Sequence, residues 1–308
     1  MSKILDDLIT DDYLAWDQSL EKQTMKYLVQ LSTESIDELV KNRTSLSKHD
    51  PNAFPCFKNE ILNWKNILQH GYGFFIISGT SFDYFTKDEI KSIFIISSKI
   101  LGDLLIQNIK NEKIVKIKDE GQSLKKGGRY HQTREGGSYH TDSPHWKMVP
   151  DYVGLYCINP AIEGGTSKFV SAYTIHNTIL KENKDMLKLF YNKFYFDKRS
   201  EYSENESPTI LEPIFEYNNG KLSIRYLRDY IDDGYKLQKL SLPESKIKAL
   251  DYLEKISQNE ECVLSYDLRT NDMVFFNNHR ILHGRTSFVD HQDQNLKRLM
   301  IRIWIKDM

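Results

Sequence analysis

The chain has 308 residues, 40% of them hydrophobic and 28% charged, with a formal net charge of −1. That balance suits a folded, water-soluble protein and excludes an overall field drawing it to nucleic acid or an anionic membrane. Three cysteines, Cys56, Cys157 and Cys262, are far apart and form no CxxC, which excludes a disulfide frame or a zinc cluster and fits a reducing compartment.

The opening MSKILDDLITDDYLAW carries four aspartates and no continuous apolar run. It does not read as a secretory signal, so a cytoplasmic protein is expected. DDYLAWDQSLEKQTMKYLVQL and SIDELVKNR place apolar residues at three- and four-residue steps, which predicts a mainly helical section to about Gln69. GYGFFIISG, Gly71 to Gly79, is a short β-branched and aromatic run between glycines, hence a buried strand. FTKDEIKSIFIISSKILGDLL begins with Thr86 and an acidic first turn, the signature of a helix entry. Its apolar part is broken by Lys99 and Asp103 and is too short to span a bilayer.

From about Arg129 the texture changes. DYVGLYCINP, TSKFVSA, PIFEYNNGKLSIRYL, CVLSYDLRTNDMVFFNN and RLMIRIWIKDM are strand-like runs separated by Gly, Asn, Asp and Pro. SAYTIHNTILKENKDMLKLFYNKF and LPESKIKALDYLEKISQ read as helices between them. Many short strands with a few outer helices predict a mainly β (α+β) fold of jelly-roll or barrel-like sandwich type. There is no GxxxxGK[ST], GxGxxG or GxSxG, so phosphate-loop and esterase chemistry have no support.

GGSYHTDSPHW places His140 two residues before Asp142. On an extended segment both side chains share one face and can bind one ion from one edge of a barrel mouth. A third ligand must then come from a distant strand. Of the nine histidines, His283, at the end of MVFFNNHRILHGRTSF, is the best candidate. His145 falls on the opposite face, and His279 suits a supporting role. Two imidazoles and one carboxylate on one side of an ion leave other positions open, the facial triad of non-heme Fe(II) oxygenases. If the co-substrate is 2-oxoglutarate, its far carboxylate needs a fixed cation, and a planar guanidinium serves best. In NLKRLMIRIWIKDM, Arg298, Met300, Arg302 and Trp304 alternate with Leu299, Ile301, Ile303 and Ile305. Two inward arginines are costly unless anions meet them.

HTD, EGGTSKFVSA, NNHRILHGRTSF and RLMIRIWI, in that order, resemble the taurine dioxygenase-like (TauD/TfdA, clavaminate synthase-like) Fe(II)/2-oxoglutarate oxygenases. The resemblance runs from about Gly71 to the C-terminus and implies a double-stranded β-helix core with helical insertions. It implies one catalytic domain over residues 1–308, in which a core at 71–308 carries a helical section at 1–70. It makes His140, Asp142 and His283 iron ligands, gives Thr166 and Arg298 to the distal carboxylate of 2-oxoglutarate, and places Arg302 where some relatives hold a substrate anion.

RYHQTREGG, Arg129 to Gly137, offers Arg129, Gln132 and Thr133 as substrate or oxoacid contacts, and RYLRDYIDDGY offers Arg225. The expected reaction is hydroxylation or desaturation of an unactivated C–H bond of a small polar or anionic metabolite, with O₂ consumed and succinate and CO₂ released. Retention of Asp142, which related halogenases replace by a small residue, favours these outcomes over halogenation. A zinc-dependent hydrolase or lyase on the same three ligands and a non-catalytic cupin-like binding barrel are the alternatives. A small-molecule substrate is the expected partner, with no nucleic acid and no membrane; a homo-oligomer is compatible with helices at residues 1–70 forming an interface.

Overall fold

The computed structural model describes residues 3–122, 132–137 and 139–308. The first part holds strands β1 (Leu28–Val29), β2 (Phe74–Ile77), β3 (Asp103–Leu104) and β4 (Ile114–Ile117), with helices α1 (Thr33–Lys41), α2 (Pro55–Gln69) and α3 (Lys87–Leu101) among them. Next come β5 (Tyr152–Asn159), β6 (Glu163–Gly164), β7 (Ser167–Ser171), α4 (Ala172–Glu182), α5 (Lys184–Phe190), β8 (Lys193–Asp197) and β9 (Thr209–Pro213). The hairpin β10 (Phe215–Asn218) and β11 (Lys221–Ile224) leads into α6 (Arg228–Leu237) and α7 (Glu244–Ser257). Strands β12 (Val263–Tyr266), β13 (Met273–Asn277), β14 (Ile281–Arg285), β15 (Phe288–Val289) and β16 (Leu299–Lys306) complete the chain.

A major sheet, ordered β1-β2-β13-β5-β16-β3 with β4 also on β16, faces a minor sheet ordered β12-β7-β14. Strand alternation sorts the side chains into layers. In β13, Val274 and Phe276 join Phe169, Leu264 and Ile281 of the minor sheet in one cluster. Met273 and Phe275 instead pack with residues of α2 and α3. Phe74 of β2 stacks on Phe169 of β7 at 5.5 Å, tying the two sheets together through rings whose burial is worth about 2 kcal/mol each. Helices α4 to α7 cover the outside of the minor sheet through Val170 and Leu282. Facing sheets with helices on both outer surfaces form the expected jelly-roll, double-stranded β-helix architecture.

The last strand behaves largely as its alternation predicts. Met300 and Trp304 enter the inter-sheet cluster, while Ile301, Ile303 and Ile305 pack under the helices. Leu299 departs from this, because the register with β5 shifts between Leu299 and Met300, and it stays half-buried. Thr86 caps α3 with a reciprocal Thr86–Glu89 capping box.

The helix expected over Asp11–Leu31 is corrected. Gln18–Lys22 and Thr24–Lys26 are single 3-10 turns, and Leu28–Val29 is a strand paired in parallel with β2. Tertiary contacts override the helical spacing here: Trp16, Leu20 and Tyr27 are drawn into the inter-sheet core, and the Trp16 indole N–H donates to the Tyr72 carbonyl at 2.9 Å. Helix α6 was not anticipated, since Gly234 interrupts its pattern. That glycine is required by packing, for a Cβ there would lie 2.4 Å from the Tyr195 carbonyl oxygen. Among the described residues, no helix is long and apolar enough to cross a membrane.

Candidate metal centre

His140 and His283 exchange both main-chain hydrogen bonds at 2.9 Å, an isolated antiparallel bridge at the free edge of β14. Their rings lie 4.3 Å apart. One ligand atom from each of His140, Asp142 and His283 falls within 4.8 Å of the others. The distant imidazole therefore folds back beside the early pair. The regular strand expected through Asp142 is not formed, because Ser143 adopts a left-handed φ of 54°. Asn278, fully buried, holds Asp142 instead. Its side-chain oxygen accepts from the Asp142 N–H at 2.7 Å, and its amide donates to the carbonyls of Asp142 at 3.0 Å and Pro150 at 3.1 Å.

The Asp142 carboxylate receives Arg302 Nη1 at 3.0 Å and the Trp304 indole N–H at 2.8 Å. Burial alone would raise its pKa, but the charge of Arg302, then His283, His140 and the indole, hold it below the usual carboxylate range. Burial, followed by the neighbouring His140, pushes the His283 pKa down to about 3. Its Nδ1 is buried and without a partner. Two imidazoles, one of them kept neutral, and an ionised carboxylate are the protonation states a divalent cation needs. The donor set fits a first-row metal with open positions.

Beside this trio a cavity is bordered by Ser167, His283, Arg285, Arg298, Met300 and Arg302. Arg298 is only 5% exposed. Its Nη2 meets the Met300 sulfur at 2.7 Å, its guanidinium lies 5.1 Å from the centre of the Phe288 ring, and its Nη1 has no partner. Burial lowers its pKa. Among the described residues no carboxylate forms a salt bridge with it, so a buried cation with an open donor awaits an anion. The double glycine before Thr166 makes this approach feasible. Gly164 and Gly165 both have positive φ, and a Cβ on Gly165 would lie 3.2 Å from Arg298 Nε.

The other candidates are distributed as follows. The Thr166 N–H donates to Thr286 Oγ1 at 3.1 Å, and its neighbour Ser167 borders the cavity. Arg302 is ion-paired with Asp142, and its Nε donates to Gln107 Oε1 at 2.9 Å. Gln132 donates to Glu120 at 2.9 Å. Thr133 is buried, and its carbonyl accepts from Arg285. Arg225 Nη1 donates to the carbonyls of Pro144 and Trp146, both at 2.8 Å, bracing the loop after Asp142. Arg129 lies outside the described residues. His145 meets Glu201 at 3.0 Å and His279 meets Asp151 at 2.9 Å. Sequence reasoning missed Asn278, Gln107, Ser167 and Arg285. Asn278, Arg285 and Ser167 lie inside the motifs NNHRILHGRTSF and EGGTSKFVSA, which was their only signal, and Gln107 carried none.

The model of the "Taurine catabolism dioxygenase TauD, TfdA family" matches residues 41–304. The chain is 32% identical over 243 residues to FR-33289 synthase of Streptomyces rubellomurinus, covering 77% of this chain and 70% of that protein. The solved structure of asparagine oxygenase in complex with Fe(II), 2S,3S-3-hydroxyasparagine and succinate superposes with a TM-score of 0.70 at 13% identity, covering 91% of this chain and 93% of that one. Non-heme iron oxygenase OrfP in complex with Fe and alpha-ketoglutaric acid gives 0.66 at 13% identity, covering 91% and 94%. At that identity the structural likeness carries the fold, and the family match carries the class. This protein belongs to the TauD, TfdA dioxygenase family and is an oxidoreductase dependent on iron and 2-oxoglutarate.

Proposed function

We propose that the protein hydroxylates or desaturates an unactivated C–H bond of a small polar or anionic metabolite, at a ferrous centre held by His140, Asp142 and His283. The observation that carries this reading is the His140–His283 bridge, which closes the trio beside a buried and unmatched Arg298. Bound iron, with 2-oxoglutarate and O₂, supplies the oxidising power, and succinate and CO₂ are the by-products. The chain's own share is placement. The imidazoles offer ring nitrogens, and Asn278 fixes the Asp142 main chain while Arg302 and Trp304 orient its carboxylate. Arg298 pairs with the distal carboxylate of the oxoacid, with Thr166 donating beside it. A zinc hydrolase on the same ligands would leave the open guanidinium of Arg298 without a task.

The chain is read as one catalytic domain, with residues 1–70 packed on a core at 71–308; the pairing of β1 with β2 supports this. A screen of amino acids, sulfonates, phosphonates and betaines for substrate-dependent succinate release, with Fe(II) supplied, tests the activity. His140→Ala and Asp142→Ala should each abolish that release, and undiminished turnover in both would remove these residues from the mechanism.

A further inference from the structure

Arg302 stands between two cavities. It borders one together with Arg298 and Met300, and the other together with Ser143, His145 and Tyr230. A guanidinium so placed, on a long side chain with five donors, is suited to turn toward an anion in either space. In this chain its direction is fixed. Nη1 donates to Asp142 Oδ1 at 3.0 Å, Nε donates to Gln107 Oε1 at 2.9 Å, and the guanidinium carbon lies 4.7 Å from the centre of the Trp304 ring.

Gln107 lies in the connection between β3 and β4 and is 2% exposed. Its amide holds Arg302 at both ends. Oε1 accepts from the Arg302 side chain, while Nε2 donates to the Arg302 carbonyl at 2.9 Å and to the Lys113 carbonyl at 2.9 Å. The Gln107 main-chain N–H donates to the Glu112 carbonyl at 2.8 Å, which closes the connection on itself. The Arg302 main chain is also set by its neighbours, in register with Val115 of β4 and Leu155 of β5. With root and Nε both held, few rotamers are left to the side chain, and Nη1 is delivered to Asp142.

The oxygen it reaches is the one turned to the imidazoles. Asp142 Oδ1 lies 3.9 Å from His140 Nε2, and Oδ2 takes the Trp304 indole N–H at 2.8 Å. An ionised carboxylate has about four acceptor positions, so Oδ1 can meet the guanidinium and a metal ion together. Tethered at both oxygens, the carboxylate keeps one orientation toward the imidazoles.

We infer that Gln107 is a positioning residue of the metal centre, which acts by committing Arg302 to the Asp142 carboxylate. The inference rests on the oxygenase reading, because the orientation of Asp142 matters only if His140, Asp142 and His283 hold the metal. A purely structural Gln107 would instead tie the β3–β4 connection to β16 through the two carbonyls that Nε2 reaches.

The test titrates Co(II) into the full chain, followed by calorimetry and by the visible absorption of the bound ion. Gln107→Leu should weaken Co(II) binding by roughly 10–100-fold, the range typical for loss of a group that orients a metal ligand, and should shift the absorption at saturation. In an Arg302→Met background the same change should add less than about twofold, because residues that act through one another are non-additive. Gln107→Glu keeps an acceptor for Arg302 Nε and loses the donors to both carbonyls. It should lower the urea midpoint as Gln107→Leu does, yet hold Co(II) within about threefold of the wild type. Wild-type Co(II) affinity in Gln107→Leu would overturn the proposal, as would an equal loss in the two backgrounds or a loss in Gln107→Glu that matches Gln107→Leu. Co(II) binding unchanged by His140→Ala would overturn the metal site itself, whereas binding lost in His140→Ala and kept in Gln107→Leu would overturn only the role of Gln107.

Discussion

Replacing Arg298 by methionine should have effects of opposite sign in the free and the oxoacid-bound protein. Arg298 is 5% exposed, with Nη1 unpartnered, Nη2 on the Met300 sulfur and the guanidinium over the Phe288 ring, and among the described residues no carboxylate is in salt-bridge contact with it. A buried charge lacking its counter-ion is a liability, and an apolar side chain of similar volume is often neutral or stabilising by ~1–4 kcal/mol. Loss of the ring contact offsets ~0.5–2 kcal/mol of that gain. The ligand-free variant should therefore unfold in urea at a midpoint equal to or slightly above that of the wild type. A buried carboxylate that loses its charged partner costs ~3–5 kcal/mol. At ~1.4 kcal/mol per tenfold, the KM for 2-oxoglutarate should rise roughly a hundredfold to several thousandfold. Succinate release at varied 2-oxoglutarate reads the second effect. A variant that is clearly less stable and has an unchanged KM would refute the reasoning on both counts.

Asn278→Ala leaves the Asp142 N–H and carbonyl unmatched in a fully buried setting. It should lower stability by ~2–4 kcal/mol and weaken Co(II) binding by roughly 10–100-fold, measured by urea unfolding and by titration calorimetry; calorimetry indistinguishable from wild type would remove Asn278 from the metal's support. Stability should also depend on His176, whose pKa burial pushes down to about 4. The unfolded chain takes up this proton near pH 6.5 and the folded protein only near pH 4, so stability is full above pH 6.5 and declines as pH falls between them. The loss approaches ~3 kcal/mol at 1.36 kcal/mol per pKa unit, and His176→Gln should flatten that part of the urea midpoint's pH profile.

Legibility in the sequence followed the range of the interactions involved. The β16 alternation, the Thr86 cap and the strand at Phe74–Ile77 depend on period and on local chemistry, and all three are visible in the bare string. The pairing of His140 with a histidine far along the chain was legible because a metal demands a third ligand, which narrows the choice. The N-terminal segment was misread because docking of Trp16 and Tyr27 into a distant core outweighs helical spacing. Leu299 was misplaced because a register shift leaves no mark on hydrophobic pattern. The support around Asp142 was illegible for a similar reason. Gln107 and Asn278 are ordinary amides whose task appears only when the chain brings them to Arg302 and Asp142. Arg225 looked available for substrate, yet its Nη1 is committed to two loop carbonyls, a pairing that only tertiary structure reveals.

The central claim is that His140, Asp142 and His283 together hold one iron with room for the oxoacid. Anaerobic titration of Fe(II) into the protein with 2-oxoglutarate present, followed by visible absorption, tests it most directly. The account predicts a weak charge-transfer band that saturates at one iron per chain and disappears in His283→Ala. A band of full intensity in that variant, or none in the wild type, would contradict it.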